Sequence, residues 1–298
     1  MSRSSSIVAL LAAVAALAAC GTLVGVSSTS EDAPDGGGGD DPDPIDPADA
    51  APKILGEGGA YDGPVPDAGE TDAAACAAGM AGLVVNGNAF CVDATEVTNA
   101  QYAMFLAASL PFSKQLPECL WNTNWAQNCK GLATKDANEP VTCIDWCDAY
   151  AYCAWAGKRL CGNVTTHGGY LASGDYADPN KSEWTAACTK GGKRTYPYGD
   201  DPKMGYCPSD GAPITAVAVN PQCIGGYPEL HEMAGNVGEW EQACDGPTPG
   251  DAGRNDNCRV RGGEHGDPYD QENCGQDYVE PRSARDPSTG FRCCATLP

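Results

Sequence analysis

Seventeen cysteines are the residues of this chain best able to do chemistry, and their number narrows what that chemistry is. Cytosolic thiols are kept reduced, so such a load marks an oxidising compartment. Cys143 and Cys147 stand at the C-x3-C spacing that opens many zinc sites, but no second pair completes a tetrahedral ligand set. His167, His231 and His265 are scattered without metal-ligand spacing and read as turn or surface residues. No Gly-x-Ser-x-Gly elbow offers a serine nucleophile. What remains is sulfur chemistry, either a reactive thiol or a framework of disulfides. With Cys20 set aside as a modified residue, 16 cysteines are left, an even number that allows eight bonds of undetermined connectivity.

The elements that carry these cysteines follow a leader and a linker. Arg3 and the apolar run Ile7 to Ala19, too short to span a bilayer, read as an export signal over residues 1–20. It ends in Leu17-Ala18-Ala19-Cys20-Gly21, which resembles the lipobox of bacterial lipoproteins. That resemblance implies acylation of Cys20 and anchorage to a lipid membrane. Gly21, rather than Asp, implies sorting to an outer membrane or the cell surface. Residues 21–75 read as a disordered linker rich in Gly, Pro and Asp. From Glu31 to Asp72 there are 13 acidic residues against Lys53 alone, so much of the net charge of −22 belongs to this segment. The same charge repels phosphate and excludes nucleic acid as a partner.

The domain is expected over residues 76–298. Cys76 to Cys91 holds a β-rich run with Asn86-Gly87 as its turn. Thr98 and Gln101 form a capping box for a helix whose apolar face is Tyr102, Phe105 and Leu106. A second helix starts at Asp145 and ends at Gly157, and a third covers Glu183 to Cys188. The rest is rich in Gly and Pro. The pattern implies an α+β fold, irregular and stapled by disulfides.

Seven segments carry a family resemblance in their order: FCVDATEVTNAQYAMFL, EPVTCIDWCDAYAYCAWAGKRLCG, SEWTAACTKGG, YPYGDD, LHEMAGNVGEW, RVRGGE and TGFRCC. Together they resemble the sulfatase-modifying factor family, which includes the formylglycine-generating enzymes. The resemblance implies a C-type-lectin-like α+β fold and disulfides Cys153–Cys293 and Cys188–Cys274. The family's enzymes oxidise a protein cysteine with two thiolates that bind Cu(I), set just after an Arg-Gly-Gly-Ser segment. Here Arg261-Gly262-Gly263 is followed by Glu264, and the reactive positions fall on Asp267, or on Glu264 and Tyr269. Hard oxygen groups do not replace thiolates for Cu(I), so copper is not expected. A calcium site is implied at Glu232 and Glu239 (side chains) and Gly235 and Val237 (carbonyls), with oxygen ligands that suit Ca²⁺. The alternative is that Glu239 and Asn236 simply bond backbone amides of their loop. Short, turn-rich loops suggest Cys76–Cys91, Cys207–Cys223, Cys244–Cys258 and Cys147–Cys161, leaving Cys119, Cys129, Cys143 and Cys294 unassigned.

Two function classes follow. One is a non-catalytic binding or interaction module. Its candidate loop runs from Glu264 to Glu280 in place of the reactive segment and carries Asp267, Tyr269, Asp270 and Asp277, for a cationic peptide of a protein ligand or a glycan. Trp121, Trp125, Tyr196, Tyr198 and Tyr278 are further aromatics open to either packing or contact. The other class is an oxidoreductase of the formylglycine-generating type acting on protein cysteine, which requires a free thiol pair.

Overall fold

A computed structural model of the protein describes residues 76–130, 136–246 and 250–297. Cys20, the leader and the acidic linker lie outside the described residues.

Two four-stranded sheets organise the fold. The first has the order β1–β2–β8–β3: β1 (Met80–Val85), β2 (Asn88–Asp93), β8 (Cys293–Thr296) and β3 (Arg159–Leu160), all antiparallel. The Asn86-Gly87 pair joins β1 to β2 with both residues at positive φ (49° and 81°), as a two-residue hairpin of matching twist requires. The last strand thus pairs with a strand near the domain's start and closes the fold. The second sheet has the order β6–β5–β4–β7. Its members are β4 (Gly238–Cys244), β5 (Asn257–Arg261), β6 (Asp277–Pro281) and β7 (Thr289–Gly290), with β4 and β7 parallel.

Helix α1 (Asn99–Ala107) starts at the reciprocal Thr98–Gln101 capping box and buries Tyr102 and Phe105. Helix α2 (Trp146–Trp155) begins at a second capping box, Asp145 with Asp148. Both carboxylates are buried beneath Arg285, whose Nη2 lies 2.7 Å from Asp145 and 2.8 Å from Asp148. Burial first, with the two like charges side by side, holds Asp148 well above the usual carboxylate range. Helix α3 (Glu183–Cys188) is capped by Ser182, whose hydroxyl accepts from the Thr185 amide and donates to Glu241. One apolar cluster joins α1, α2 and β4 around Trp146, Tyr152, Trp240 and Phe291; the other joins β1, β2 and α3 around Phe90, Trp184 and Met233.

All 16 cysteines from Cys76 onward are in disulfides. Cys153–Cys293 ties α2 to β8 and Cys188–Cys274 ties α3 to the loop before β6. Cys76–Cys91, Cys207–Cys223 and Cys244–Cys258 close short loops. Cys147–Cys161, expected as a clip around α2, is corrected. Cys147 bonds Cys119, and Cys161 bonds Cys294. Cys147 lies in the first turn of α2 and faces the 117–119 segment, whereas Cys161 follows β3 and is delivered to Cys294 by the pairing of β3 with β8. Cys129–Cys143 completes the set.

Candidate functional site

The loop between β5 and β6, residues 262–276, leaves the second sheet through Gly262 and Gly263, both left-handed at φ 93° and 78°. A methyl group on Gly262 would lie 3.1 Å from the Met233 carbonyl and 3.2 Å from the Trp184 ring, so the site needs glycine on both counts. Beneath this turn Trp184 donates its indole N–H to Glu239 at 2.8 Å. Arg292 clasps the same carboxylate through Nε and Nη2 at 2.7 Å each, and Arg261 lies over the Trp184 ring at 5.1 Å. Arg261 also stands 3.6 Å from Glu241, which burial pushes up to about 7 against the pull of the guanidinium.

On this base the loop gathers carboxylates. The Glu264 amide donates to Asp267 Oδ2 at 3.0 Å, and Tyr278 donates its hydroxyl to the same oxygen. Asp210 arrives from the segment after Cys207: its amide donates to the Asp267 carbonyl at 2.7 Å, and its carboxylate accepts from the Tyr269 amide at 3.4 Å. Glu272 lies against the same turn. A methyl group on Gly263 would be 3.2 Å from Asp267 Oδ2 and 3.3 Å from Glu272 Cγ. Glu272 is 2 % exposed and its Oε1 has no hydrogen-bond partner. Burial, then the charges of Asp267 and Asp210, push its carboxyl up to about 9, against a hydrogen bond from Ser209. Ser209 and Asp210 also line an adjoining hollow of about 340 Å³ with Pro208, Ala212 and Thr215. His265 closes the side of the site, with Nδ1 2.5 Å from the Ala212 carbonyl and Nε2 3.3 Å from the Ser288 hydroxyl.

Of the expected loop residues, Glu264, Asp267 and Tyr269 converge here. Asp270 is exposed at the edge, where its carbonyl accepts from the Tyr196 hydroxyl at 2.7 Å. Asp277 is corrected. It belongs to β6, opposite Arg261, and its carboxylate is held by Arg259 at 2.8 Å. The β-favouring pair Tyr278-Val279 extends the strand to this point and ends the loop at residue 276. Tyr196 and Tyr198 stack on each other at 5.5 Å, Trp125 is buried, and Trp121 bonds the Glu118 carbonyl. Sequence reasoning missed Asp210 and Ser209, whose signal was faint: they follow Cys207, and the Cys207–Cys223 bond fixes that segment.

The donors do not suit the metals that the resemblance brought into view. Glu239 gives both oxygens to Arg292 and Trp184, so a guanidinium already supplies the positive charge beside it. Arg292 Nη2 also donates to the Glu232 carbonyl, while the Glu232 carboxylate accepts from the Ala218 amide and stands at about 7, raised first by burial. Of the expected calcium ligands, the Glu239 carboxylate is thus taken up by Arg292 and Trp184, and Glu232 is bonded through its carboxylate to the Ala218 amide. Asn236 bonds the Thr215 amide and Glu96, not a metal. Among the described residues no three His, Cys, Asp or Glu side chains converge as ligands.

The chain belongs to the sulfatase-modifying factor family: the family model for the sulfatase-modifying factor enzyme 1-like domain matches residues 64–297. Its fold is the family's α+β fold, irregular and disulfide-rich. It is 35% identical over 114 residues to the formylglycine-generating enzyme of Thermomonospora curvata, which covers 36% of this chain and 34% of that one. It is 30% identical over 125 residues to the hercynine oxygenase of Mycobacterium tuberculosis, covering 38% of this chain and 24% of that one. The chain thus matches between 24% and 34% of the length of these curated relatives. Among solved structures, PvdO from Pseudomonas aeruginosa superposes with a TM-score of 0.49 at 18% identity, covering 70% of this chain and 81% of that one.

Proposed function

We propose that this protein is an exported lipoprotein, anchored by an acylated Cys20, whose domain is a non-catalytic binding module of the formylglycine-generating-enzyme type. Its ligand is a protein that presents a cationic group to the carboxylates of the β5–β6 loop. The observation that carries this reading is Glu272, buried with an unpartnered oxygen beside Asp267 and Asp210. A carboxyl in that setting is held neutral until a positive charge arrives, and an ammonium or guanidinium satisfies both the charge and the orphaned oxygen. The linker, with its 13 acidic residues, gives the module reach from the membrane.

The oxidoreductase reading draws on the names of the curated relatives. It needs free thiols, whereas every cysteine among the described residues is bonded. Alkylation of the unreduced exported protein, read by mass spectrometry, separates the two. No labelled cysteine from Cys76 onward is the expected result. Two labelled cysteines within reach of the Glu264–Cys274 loop would overturn the binding reading. Ligand capture is tested by titrating the intact protein with a lysine- and arginine-rich peptide. Saturable binding weakened by Asp210→Asn and Asp267→Asn is expected, and binding indifferent to both refutes the cationic site. Membrane recovery lost in Cys20→Ser tests the anchor.

A further inference from the structure

The β5–β6 pairing has two ends. The acidic loop occupies the Arg261–Asp277 end, and a separate cleft opens at the Asn257–Pro281 end. That cleft encloses about 790 Å³, within the range of small-ligand sites. Glu118, Tyr170, Asp245, Asp256 and Arg282 line it, with glycines between them.

Tyr170 is the centre of this site. It is 42 % exposed, yet its position is fixed. Gly169 on one side accepts from the Asn163 amide and Leu171 on the other donates to the Gln242 carbonyl, each at 2.9 Å. Its ring lies 6.0 Å from buried Trp146 at 19°, and its hydroxyl donates to Glu118 Oε1 at 2.8 Å. Arg282 packs over the same Trp146 at 4.5 Å, pairs with Asp256 at 3.1 Å and donates to the Gly253 carbonyl at 3.1 Å. A Cβ on Gly253 would meet Glu118 Cβ at 2.8 Å, so this glycine backs the carboxylate that holds Tyr170. Gly246 and Gly250 belong to the cleft's described lining.

An aromatic held by Glu118 at its hydroxyl and by Trp146 against its ring presents a fixed apolar face to the cleft. The walls also select a chemistry. Arg282 is paired with Asp256, so the wall holds no uncompensated positive charge. Glu118 and Asp245 set negative charges beside it. An anion meets repulsion from both. A neutral molecule with an apolar face and many hydroxyls meets complementary groups on all sides: the Tyr170 ring for its C–H face, and Glu118 and Asp245 as acceptors for its hydroxyls.

We infer that the cleft around Tyr170 is a second binding site, distinct from the acidic loop, that takes a neutral glycan, with a pyranose ring stacked on Tyr170 and its hydroxyls bonded to Glu118 and Asp245. This assignment stands whether or not the acidic loop binds a cationic partner.

The test uses the intact protein, titrated calorimetrically with neutral hexasaccharides (maltohexaose, cellohexaose, chitohexaose and xylohexaose) and with spermidine as the cationic control. Binding of at least one hexasaccharide with a Kd of about 1 mM or tighter is expected. Tyr170→Ala should weaken that binding about tenfold or more, from loss of the stacking face. Asp245→Asn, an exposed substitution that leaves the fold intact, should weaken it severalfold. Asp210→Asn, at the acidic loop, should leave it unchanged. Silence across the four sugars at millimolar concentration overturns the inference, as does sugar binding untouched by both Tyr170→Ala and Asp245→Asn. Spermidine binding that is lost in Asp245→Asn would replace the glycan with a cation and overturns it equally.

Discussion

Replacing Glu272 with glutamine should make the domain more stable, and only at neutral and alkaline pH. In the folded protein burial and the charges of Asp267 and Asp210 raise this carboxyl from 4.5 to about 9. A group whose folded pKa lies above its unfolded value favours the fold below the unfolded pKa, and that contribution is lost as pH rises toward the folded pKa. Between pH 4.5 and pH 7.5 the unfolded chain releases the proton and the folded one keeps it. Three pH units at about 1.4 kcal/mol each set a ceiling of about 4 kcal/mol against folding. Glutamine has the same shape and no proton to lose, so it removes that penalty. At about 2–4 °C per kcal/mol for a domain of this size, melting at pH 7.5 should rise by up to about 15 °C. At pH 4.5 the two proteins should melt together. Scanning calorimetry at both pH values, with disulfides intact, checks this. An equal shift at the two pH values, or a destabilised variant at pH 7.5, would refute the buried, charge-surrounded carboxyl as the source.

The same sign holds elsewhere: burial raises Asp93, Glu96, Asp148, Glu232 and Glu241 as well, so the wild-type domain should melt higher at pH 5 than at pH 8. Glu239→Gln leaves the fully buried Arg292 without its carboxylate and should cost about 3–5 kcal/mol in denaturant titrations. Gly262→Ala forces a side chain into a left-handed position against Trp184 and the Met233 carbonyl. It should cost about 1–3 kcal/mol, read by the same titration. Millimolar calcium should leave the melting temperature where chelator leaves it, because Glu239 is bound to Arg292. A saturable rise of several degrees would show that an oxygen cage forms at Glu232 and Glu239 after all.

Local rules made much of the fold legible. The Thr98–Gln101 capping box, the Asn86-Gly87 turn and the Asp145 cap act within a few residues, and each sits where its pattern places it. The second sheet was not legible. β4 is buried along nearly its whole length, so it shows no alternation, and β6 is bounded by a loop whose end depends on pairing with Arg259 and Arg261. The Cys147–Cys161 guess failed for a related reason: proximity in sequence says little where strand pairing decides which sulfurs meet. In the candidate site, Glu264, Asp267 and Tyr269 could be read from their place after Arg261-Gly262-Gly263. Asp210 and Ser209 could not, because a disulfide and two backbone bonds deliver them from more than fifty residues away.

The family motifs in this chain do structural work that needs no reactive thiol. Trp184 from SEWTAAC, Glu239 from GNVGEW, Arg261 from RVRGG and Arg292 from TGFRC meet in one buried arrangement under the β5–β6 loop. Removing Glu239 leaves Arg292 and the Trp184 indole N–H without their shared carboxylate, and removing Arg292 leaves Glu239 without its guanidinium, which makes these three interdependent. In the loop above, the two glycines set the turn and Cys274 pins the far end to α3, while its carbonyl accepts from Arg261 at 3.1 Å. A scaffold built this way keeps its recognisable motifs while the chemistry on top of it is exchanged. Counted from its flanking motifs, this chain has no cysteine at the expected thiolate positions, which fall on Asp267 in one register and on Glu264 and Tyr269 in the other. The family match over residues 64–297 is therefore evidence for the frame and leaves the chemistry above it to be argued from the site itself.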